Sequence, residues 1–415
     1  MSHLSYLEKL LDGVDVEWKA LGEVCDFKNG FAFKSSLFKE AGLPIIRITN
    51  VDGKNISLDD VKYFDPSDYK ENTASYEISK GDILIAMSGA TTGKIGFYAH
   101  ESPAYLNQRV GKFLPKPKIL NNRYLYHYLL SKVEQIYVIA GGGAQPNLSS
   151  NALMAKIEIP IPCPNNPEKS LAIQAEIVRI LDAFTAMTAE LTAELNMRKK
   201  QYNYYRDQLL SFDLSADQAG EGDVEWKALG KIAEINTGQK PSEILDTEAE
   251  FDYINAGTTR SGYCALSNCE GDTVTTPSRG QGGIGFVGYQ NKSFWLGPLC
   301  YKIRSIDNKA LINKYLFYIL QSKNQLLLGL KKEGGVPAVN KSDLAKLEVP
   351  VPSITEQERI VEILDKFDML TTSIKEGLPR EIELRQKQYE YYRDLLLSFP
   401  ASPAGGPQSH SDEAA

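Results

Sequence analysis

Cysteine and histidine are scarce in this chain, with five of the first and four of the second in 415 residues. The cysteines (Cys25, Cys163, Cys264, Cys269 and Cys300) form an odd, scattered set without a C-x-x-C, which argues against a disulfide framework. His3, His100, His127 and His410 lie far apart, so no metal site is expected and the cysteines read as small buried hydrophobes. Apolar runs stop short of the ~20 residues a membrane-spanning helix needs. Met1 to Glu17 sets Leu4, Leu7, Leu10 and Leu11 at helical spacing but carries Glu8, Asp12 and Asp15, unlike a signal peptide, so a cytoplasmic location is expected. Catalytic signatures are missing too. The stretch Gly81 to Gly96 lacks the first glycine of a phosphate-binding loop, and Lys94 is followed by Ile95 rather than Ser or Thr. Gly280-Gln-Gly-Gly-Ile-Gly285 runs on into strand-like Phe286-Val-Gly-Tyr289, with no acid about 20 residues after its first glycine. No Gly-x-Ser-x-Gly, His-Glu-x-x-His or Asn/Asp-Pro-Pro-aromatic motif occurs. The chain is not expected to be an enzyme.

An excess of positive charge is also lacking: the net charge is −7, which by itself speaks against a nucleic-acid partner. Its distribution says more. From Ile83 to Val133 Glu101 is the only acid, against Lys94, Arg109, Lys112, Lys116, Lys118, Arg123 and Lys132. Thr273 to Ile306 holds no acid but has Arg279, Lys292, Lys302 and Arg304. Acids gather elsewhere, five of them between Asp213 and Glu225. Each half therefore has a mildly basic part able to face phosphates, although uneven solvated surface reads the same way.

What the chain has in abundance is itself. Asp15-Val-Glu-Trp-Lys-Ala-Leu-Gly22 recurs unchanged as Asp223 to Gly230, and Lys156-Ile-Glu-Ile-Pro-Ile-Pro162 recurs as Lys346-Leu-Glu-Val-Pro-Val-Pro352. Arg198 to Phe212 recurs as Arg385 to Phe399 with twelve of fifteen positions identical. Such a repeat dictates the architecture. The inserts between these blocks, Leu21 to Ala155 and Leu229 to Ala345, look almost unrelated to each other. The frame gives an N-terminal helix (1–14), a first domain (15–162), a long helix (163–212), an acidic linker (213–222), a second domain (223–352), a second long helix (353–399) and a tail (400–415) of disordered composition.

After Pro160-Ile-Pro162 the pattern turns helical, with Asn166 as N-cap and Pro167 at the first position; the second copy opens with the capping-box pattern Ser353-Ile-Thr-Glu356. Each helix is expected to run about 45 residues, on the order of 65 Å. Ile177, Leu181, Phe184, Leu191, Leu195, Tyr202, Tyr205 and Leu209 follow four-and-three spacing, with Thr188 and Arg198 between, as do Ile360, Leu364, Phe367, Thr371 and Ile374. The second helix then carries four extra residues, including Gly377 and Pro379, and a bend is expected there. Two such seams in one chain are best explained by packing on each other. Tyr204 and Arg206 point off the seam, as protein anchors or as solvated surface.

Glycine-rich turns in the inserts offer close backbone approach beside small polar groups: Ser88, Thr91, Thr92 and Lys94, then Ser278, Arg279 and Gln281. Arg, Gln and Asn pair bidentately with purine edges, which adds Arg47, Asn50, Asn107, Gln108 and Arg109 in the first insert and Gln239, Lys240, Asn255, Thr259 and Arg260 in the second. Each also suits a turn or strand end with a solvated polar group.

A variable insert, an Ile-Pro-x-Pro exit and a long helix ending in Gln-Tyr-x-Tyr-Tyr-Arg-Asp, given twice, resembles the specificity subunit of type I restriction-modification systems over residues 1 to 399. Lys28-Asn29-Gly-Phe-Ala-Phe-Lys34, Gly81 to Gly96, Asn107-Gln108 and Gly143-Ala-Gln145-Pro-Asn147 look like recurrent features of that family. The resemblance implies an α+β chain: two mixed α/β target-recognition domains separated by two long helices in an antiparallel coiled coil, with an internal pseudo-two-fold repeat. It implies that Lys28, Asn29, Lys34, Gln145 and Asn147 join the DNA-binding candidates, and that each domain reads half of a split, asymmetric DNA target. It also implies two methyltransferase subunits docked around Gln201, Tyr204, Tyr205 and Arg206 and around Gln388, Tyr391, Tyr392 and Arg393, together with motor-nuclease subunits. S-adenosylmethionine, ATP and Mg are expected in those partners and no cofactor in this chain.

Overall fold

The computed structural model describes residues 6–11, 13–142, 146–212, 224–280, 282–332, 336–373 and 376–399. The acidic linker, the tail, Gln145, Gln281 and Ile374 lie outside them. The chain divides into two compact units, Met1–Ala189 with Glu383–Ala415, and Glu190–Ile382.

The first unit runs α1 (Tyr6–Leu11), β1 (Val16–Ala20), α2 (Leu21–Val24), β2 (Cys25–Asn29), β3 (Leu43–Ile46), β4 (Lys62–Phe64), β5 (Glu77–Ile78), β6 (Ile83–Ala86), β7 (Ile95–Phe97), β8 (Ala104–Leu106), β9 (Val110–Pro115), α3 (Asn122–Ser131), α4 (Val133–Ile139), α5 (Ser150–Lys156), β10 (Glu158–Pro162) and the first part of α6 (Pro167–Leu209). One sheet has the order β2-β9-β6-β7 and is antiparallel; the other has the order β4-β3-β8-β5 around a parallel β3–β8 pair. Strand periodicity explains why β6 is apolar throughout. Ile83 and Ile85 join the cluster that reaches α3 and α6, whereas Leu84 and Ala86 face a second cluster around Ile46, Tyr98 and Leu106. The repeated blocks meet at the domain's foot, where β1 pairs antiparallel with β10 from Val16↔Pro162 to Ala20↔Glu158. A two-stranded ribbon is all edge and so accommodates the prolines of Ile-Pro-Ile-Pro.

In the second unit the order is β11 (Glu225–Ala228), α7 (Leu229–Ile232), β12 (Ala233–Thr237), β13 (Phe251–Ile254), β14 (Tyr263–Cys264), β15 (Thr273–Pro277), β16 (Gly288–Gln290), β17 (Trp295–Leu296), β18 (Cys300–Ser305), α8 (Asn313–Ser322), α9 (Asn324–Gly329), α10 (Lys341–Leu344), β19 (Glu348–Val351) and α11 (Ile354–Thr372). Its sheets follow the same plan, β12-β18-β15-β16 and β14-β13-β17, with β13–β17 parallel and β11 paired with β19. The inserts are therefore not unrelated. They keep one topology and one burial pattern with few identities, because a core asks for apolar volume at given positions rather than for given residues. Tyr315, Leu316 and Leu320 of α8 are buried, as are Tyr124, Leu125 and Leu129 of α3.

Asn166 caps α6 through Lys169 N (3.1 Å), and Ser353 caps α11 through Glu356 N (3.3 Å). Along α6, Phe184, Thr188, Leu191, Leu195, Arg198 and Tyr202 are half-buried at the expected spacing, and their neighbours at 186, 187, 189 and 190 are exposed. The second long helix is not continuous. α11 ends at Thr372 and the chain resumes as α12 (Leu378–Leu396). Gly377 is buried at the break, where a Cβ would stand 2.5 Å from the Met369 carbonyl oxygen. Pro379 follows at the second position of α12, where a missing N–H costs nothing.

Within the first unit Phe184 stacks on Tyr392 (centroids 5.1 Å apart), and within the second Tyr205 stacks on Phe367 (5.6 Å). A later position on α6 meets an earlier position on the other arm, so the arms pair antiparallel. Each compact unit includes parts of the long helices. Ile173, Ile177 and Leu181 of α6 belong to the first domain's own core, as do Tyr389 and Leu396 of α12, and Ile360 and Leu364 belong to the second's. Parts of the long helices thus belong to the hydrophobic cores.

Candidate nucleic-acid interface

Four chain segments converge on one edge of the first domain. Beyond the end of β8, Asn107 N bonds Ile46 O (3.2 Å) and Gln108 N bonds Phe31 O (2.7 Å), while Met87 N bonds Arg109 O and Leu148 N bonds Met87 O, each at 2.8 Å. These bonds bring together Arg47 to Asn50, Ser88 to Thr92, Asn107 to Arg109 and Asn147. Lys28 and Asn29 reach the same edge along β2: the Lys28 ammonium sits 4.5 Å over the Tyr76 ring and Asn29 Nδ2 donates to Ser150 Oγ (3.5 Å). Lys34 is exposed on the following turn. Gly30 permits the convergence, since a Cβ there would lie 2.0 Å from the Asn107 carbonyl oxygen.

The second domain builds the same edge from different side chains. Gln239 N bonds Leu296 O (3.0 Å), Gly297 N bonds Ile254 O (2.8 Å), Ser278 N bonds Leu299 O and Val339 N bonds Ser278 O (both 2.9 Å). Gln239, Lys240, Asn255, Ser278 and Arg279 gather there. Thr259 and Arg260 lie further out, on the exposed connection between β13 and β14, and Arg260 is ion-paired with Asp252 (3.1 Å) over the Tyr263 ring.

Inside these edges the candidates divide by what their side chains already hold. Asn50 is buried and committed to its turn, accepting from Arg47 N (3.0 Å) and donating to Asp59 O (3.2 Å). Thr92 donates to Gly89 O, Asn255 accepts from Leu299 N, and Ser278 is buried. Gln108, Arg109, Asn147, Lys240 and Arg279 are exposed. Four buried side-chain nitrogen or oxygen atoms lack a hydrogen-bond partner among the described residues, and three of them, Arg47 Nε, Ser88 Oγ and Thr91 Oγ1, belong to this edge. Buried donors and acceptors in folded chains are nearly always bonded, so these groups call for a partner such as an ordered water or an ion.

Charge pairing sorts the cations of the two domains. Lys39, Lys80, Lys112 and Arg123 in the first domain, and Lys302, Arg304 and Lys332 in the second, hold carboxylates. Lys28, Lys34, Arg47, Lys94, Arg109, Lys240 and Arg279 have none within ion-pair distance among the described residues, leaving their charge to solvent or to a polyanion. The basic stretches counted in sequence are thus partly neutralised within the fold: Lys112 and Arg123 are paired in the first and Lys302 and Arg304 in the second, while Lys94, Arg109 and Arg279 are not. Burial pushes the Cys25 and Cys300 thiols up to about 12, away from the thiolate that a nucleophile needs.

The tyrosine blocks form two like surfaces. Tyr204 meets Tyr205 edge-on at 5.4 Å and Tyr391 meets Tyr392 at 5.3 Å, with all four rings exposed. Arg206 and Arg393 are largely covered, each paired with the following aspartate and lying over Tyr202 or Tyr389. Gln201 accepts from Arg198 (2.9 Å) and Gln388 from Arg385 (3.0 Å).

Sequence reading missed the joint between each domain and its helices. Gln174 accepts from Asn121 N (2.8 Å) and donates to Ile119 O (2.9 Å); Gln357 accepts from Ile312 N and donates to Ala310 O at 2.9 Å each. Tyr124 and Tyr315 donate to the carbonyls of Pro160 and Pro350. Asp182 and Asp365 on the long helices receive Arg123 and Lys314 from α3 and α8. The signal was present in sequence, as Asn122-Arg-Tyr-Leu against Asn313-Lys-Tyr-Leu and Leu181-Asp-Ala-Phe184 against Leu364-Asp-Lys-Phe367.

Known proteins share this sequence pattern and fold. The model of the family described as "Type I restriction modification DNA specificity domain" matches twice, over residues 13–198 and 221–384. The chain is 40% identical over 430 residues to the type I restriction enzyme EcoR124I/EcoR124II specificity subunit of Escherichia coli, covering 96% of this chain and 98% of that one. It is 34% identical to the EcoprrI specificity subunit of Escherichia coli, covering 91% and 93%. Its fold resembles the S subunit of a type I restriction-modification system from M. genitalium (TM-score 0.60, 20% identity, 96% and 100% covered). The chain belongs to the family of type I restriction-modification specificity subunits, the non-catalytic components on which DNA sequence recognition rests.

Proposed function

We propose that each domain reads one half of a split, asymmetric duplex DNA target, and that the paired arms fix the separation of the halves. The observation that carries this reading is the edge built twice on one backbone plan from different side chains, Arg47, Ser88, Gln108 and Arg109 in one domain and Gln239, Lys240 and Arg279 in the other. A shared scaffold with divergent polar tips is what two different base sequences require. Cations without carboxylate partners beside those tips supply the phosphate contacts that hold the duplex. The exposed tyrosine pairs, Tyr204 with Tyr205 and Tyr391 with Tyr392, offer two equivalent surfaces for two methyltransferase subunits. Those partners bring S-adenosylmethionine chemistry on adenine, and motor-nuclease subunits bring ATP and Mg.

The test is to co-purify the chain with its neighbouring methyltransferase and map methyladenine in host DNA. One bipartite motif, altered on one side only when residues 21–155 are exchanged for those of a relative, supports the reading. An unsplit motif, or a change on both sides, overturns it.

A further inference from the structure

The two joints differ at one position. In the first unit His127, which is fully buried, lies between both arms: Nε2 is 2.7 Å from Asp182 Oδ1 on α6, and Nδ1 is 2.9 Å from the Tyr389 hydroxyl on α12. A carboxylate only accepts, so Nε2 carries the proton and Nδ1 accepts from Tyr389. Asp182 also receives the Arg123 guanidinium, and Arg393 of α12 donates to Leu130 O at the end of α3 (3.4 Å). In the second unit the place of His127 on α8 is taken by Tyr318, which bonds Asp365, while Tyr202 of α6 turns to Gln321 (2.9 Å). Only the first joint contains an imidazole that bonds two helices at once.

The joint also leads toward the reading edge. The Arg123 guanidinium lies 4.4 Å over Phe97 and 4.6 Å over Tyr126, and the Tyr126 hydroxyl donates to Lys54 O (2.8 Å). Lys54 O also accepts from Phe97 N, in the loop that follows the Arg47 to Asn50 turn. We infer that His127, bonded to Asp182 and Tyr389, is a positioning residue that fixes the first recognition domain on its helical arms and thereby sets which half-site separation the protein accepts. This rests on the split-target reading above.

Titratable and charged groups face the imidazole from every packed element: Asp182 from α6, Tyr389 and Arg393 from α12, and Arg123 and Tyr126 on α3 itself. Burial lowers the His127 pKa, against the opposing pull of Asp182, so the ring is neutral at pH 7. A depressed histidine pKa means that its contribution is present above the ordinary value of about 6.5 and is lost as pH falls from there toward the folded value. The second joint, with tyrosine at that place, does not titrate in this range.

The experiment uses the assembled methyltransferase and duplexes that carry the mapped half-sites at the native separation or one base pair more or fewer. Asp182→Asn, which removes a charge-assisted acceptor, lowers the ratio of methylation at native to shifted separation about tenfold. Discrimination against a base change within the first half-site stays within about twofold, because the reading side chains are untouched. In urea denaturation the unmodified chain loses stability as pH is lowered from 7.5 to 5.5; His127→Gln, which can still donate and accept, keeps the separation ratio near native and reduces that pH dependence of stability. Melting curves of both variants establish that they are folded. A bipartite motif with separation ratios unmoved by Asp182→Asn, or a pH profile unchanged by His127→Gln, overturns the positioning role alone. Absence of a bipartite motif in the unmodified complex strikes the split-target reading instead.

Discussion

At Gly30 and Gly238 the chain passes within van der Waals contact of another backbone, and the neighbours there, the carbonyls of Asn107 and Leu296, cannot swing aside. Gly30→Ala is expected to cost about 2 kcal/mol in urea denaturation and to abolish discrimination at the first half-site, leaving the second intact. Charged residues on the edge should behave differently. Arg109→Ala and Lys94→Ala leave stability within about 0.5 kcal/mol, since neither side chain is committed within the fold. If the side chain neutralises a phosphate, each substitution lowers the slope of log affinity against log salt by about one. An unchanged slope would place that residue off the phosphate backbone. Asn50 and Asn255 show why such sites are hard to read from sequence: both are purine-pairing residue types in the right turn, yet each spends its amide on the backbone. No local pattern distinguishes a side chain that caps a turn from one that faces outward.

The elements were the most legible level. The repeat, the caps at Asn166 and Ser353, the α6 seam from Phe184 to Tyr202 and the disturbance at Gly377 to Pro379 could all be placed by spacing, because helical periodicity is a property of the chain alone. The shared topology of the two inserts could not. Their strands are two to six residues long and pair across the whole domain, so the matching pattern exists only once the sheets form. α3 and α8 escaped for a different reason: their likeness lies in a few tyrosine, leucine and asparagine positions inside sequence that otherwise diverges. At the break between α11 and α12, Gly377→Ala should destabilise the chain by about 1–3 kcal/mol, because a methyl group has no room beside the Met369 and Leu370 carbonyls. Deletion of residues 374 to 377 with stability retained in urea denaturation would instead show that the four extra residues are an insertion into an otherwise regular seam.

For the molecule as a whole, net charge was the most misleading number. A chain of charge −7 still sets cations without carboxylate partners along two edges while neutralising others, such as Arg123 and Arg304, within the fold, so the sum hides the arrangement. The division into units carries a further consequence. The first unit is completed by Tyr389, Leu396, Leu397 and Phe399, which share its core with Leu11, Tyr124 and Ile177. A ribosome makes those residues after every residue of the second unit, Glu190 to Ile382. Synthesis order and closing order are therefore reversed: the later-made unit can finish its core while the earlier-made one waits with an apolar face open. Nascent chains stalled so that residue 380 has just cleared the exit tunnel should show the second unit resisting protease and the first still cleavable. Release of the remaining residues should then protect the first unit, making it the step at which a chaperone has most to do.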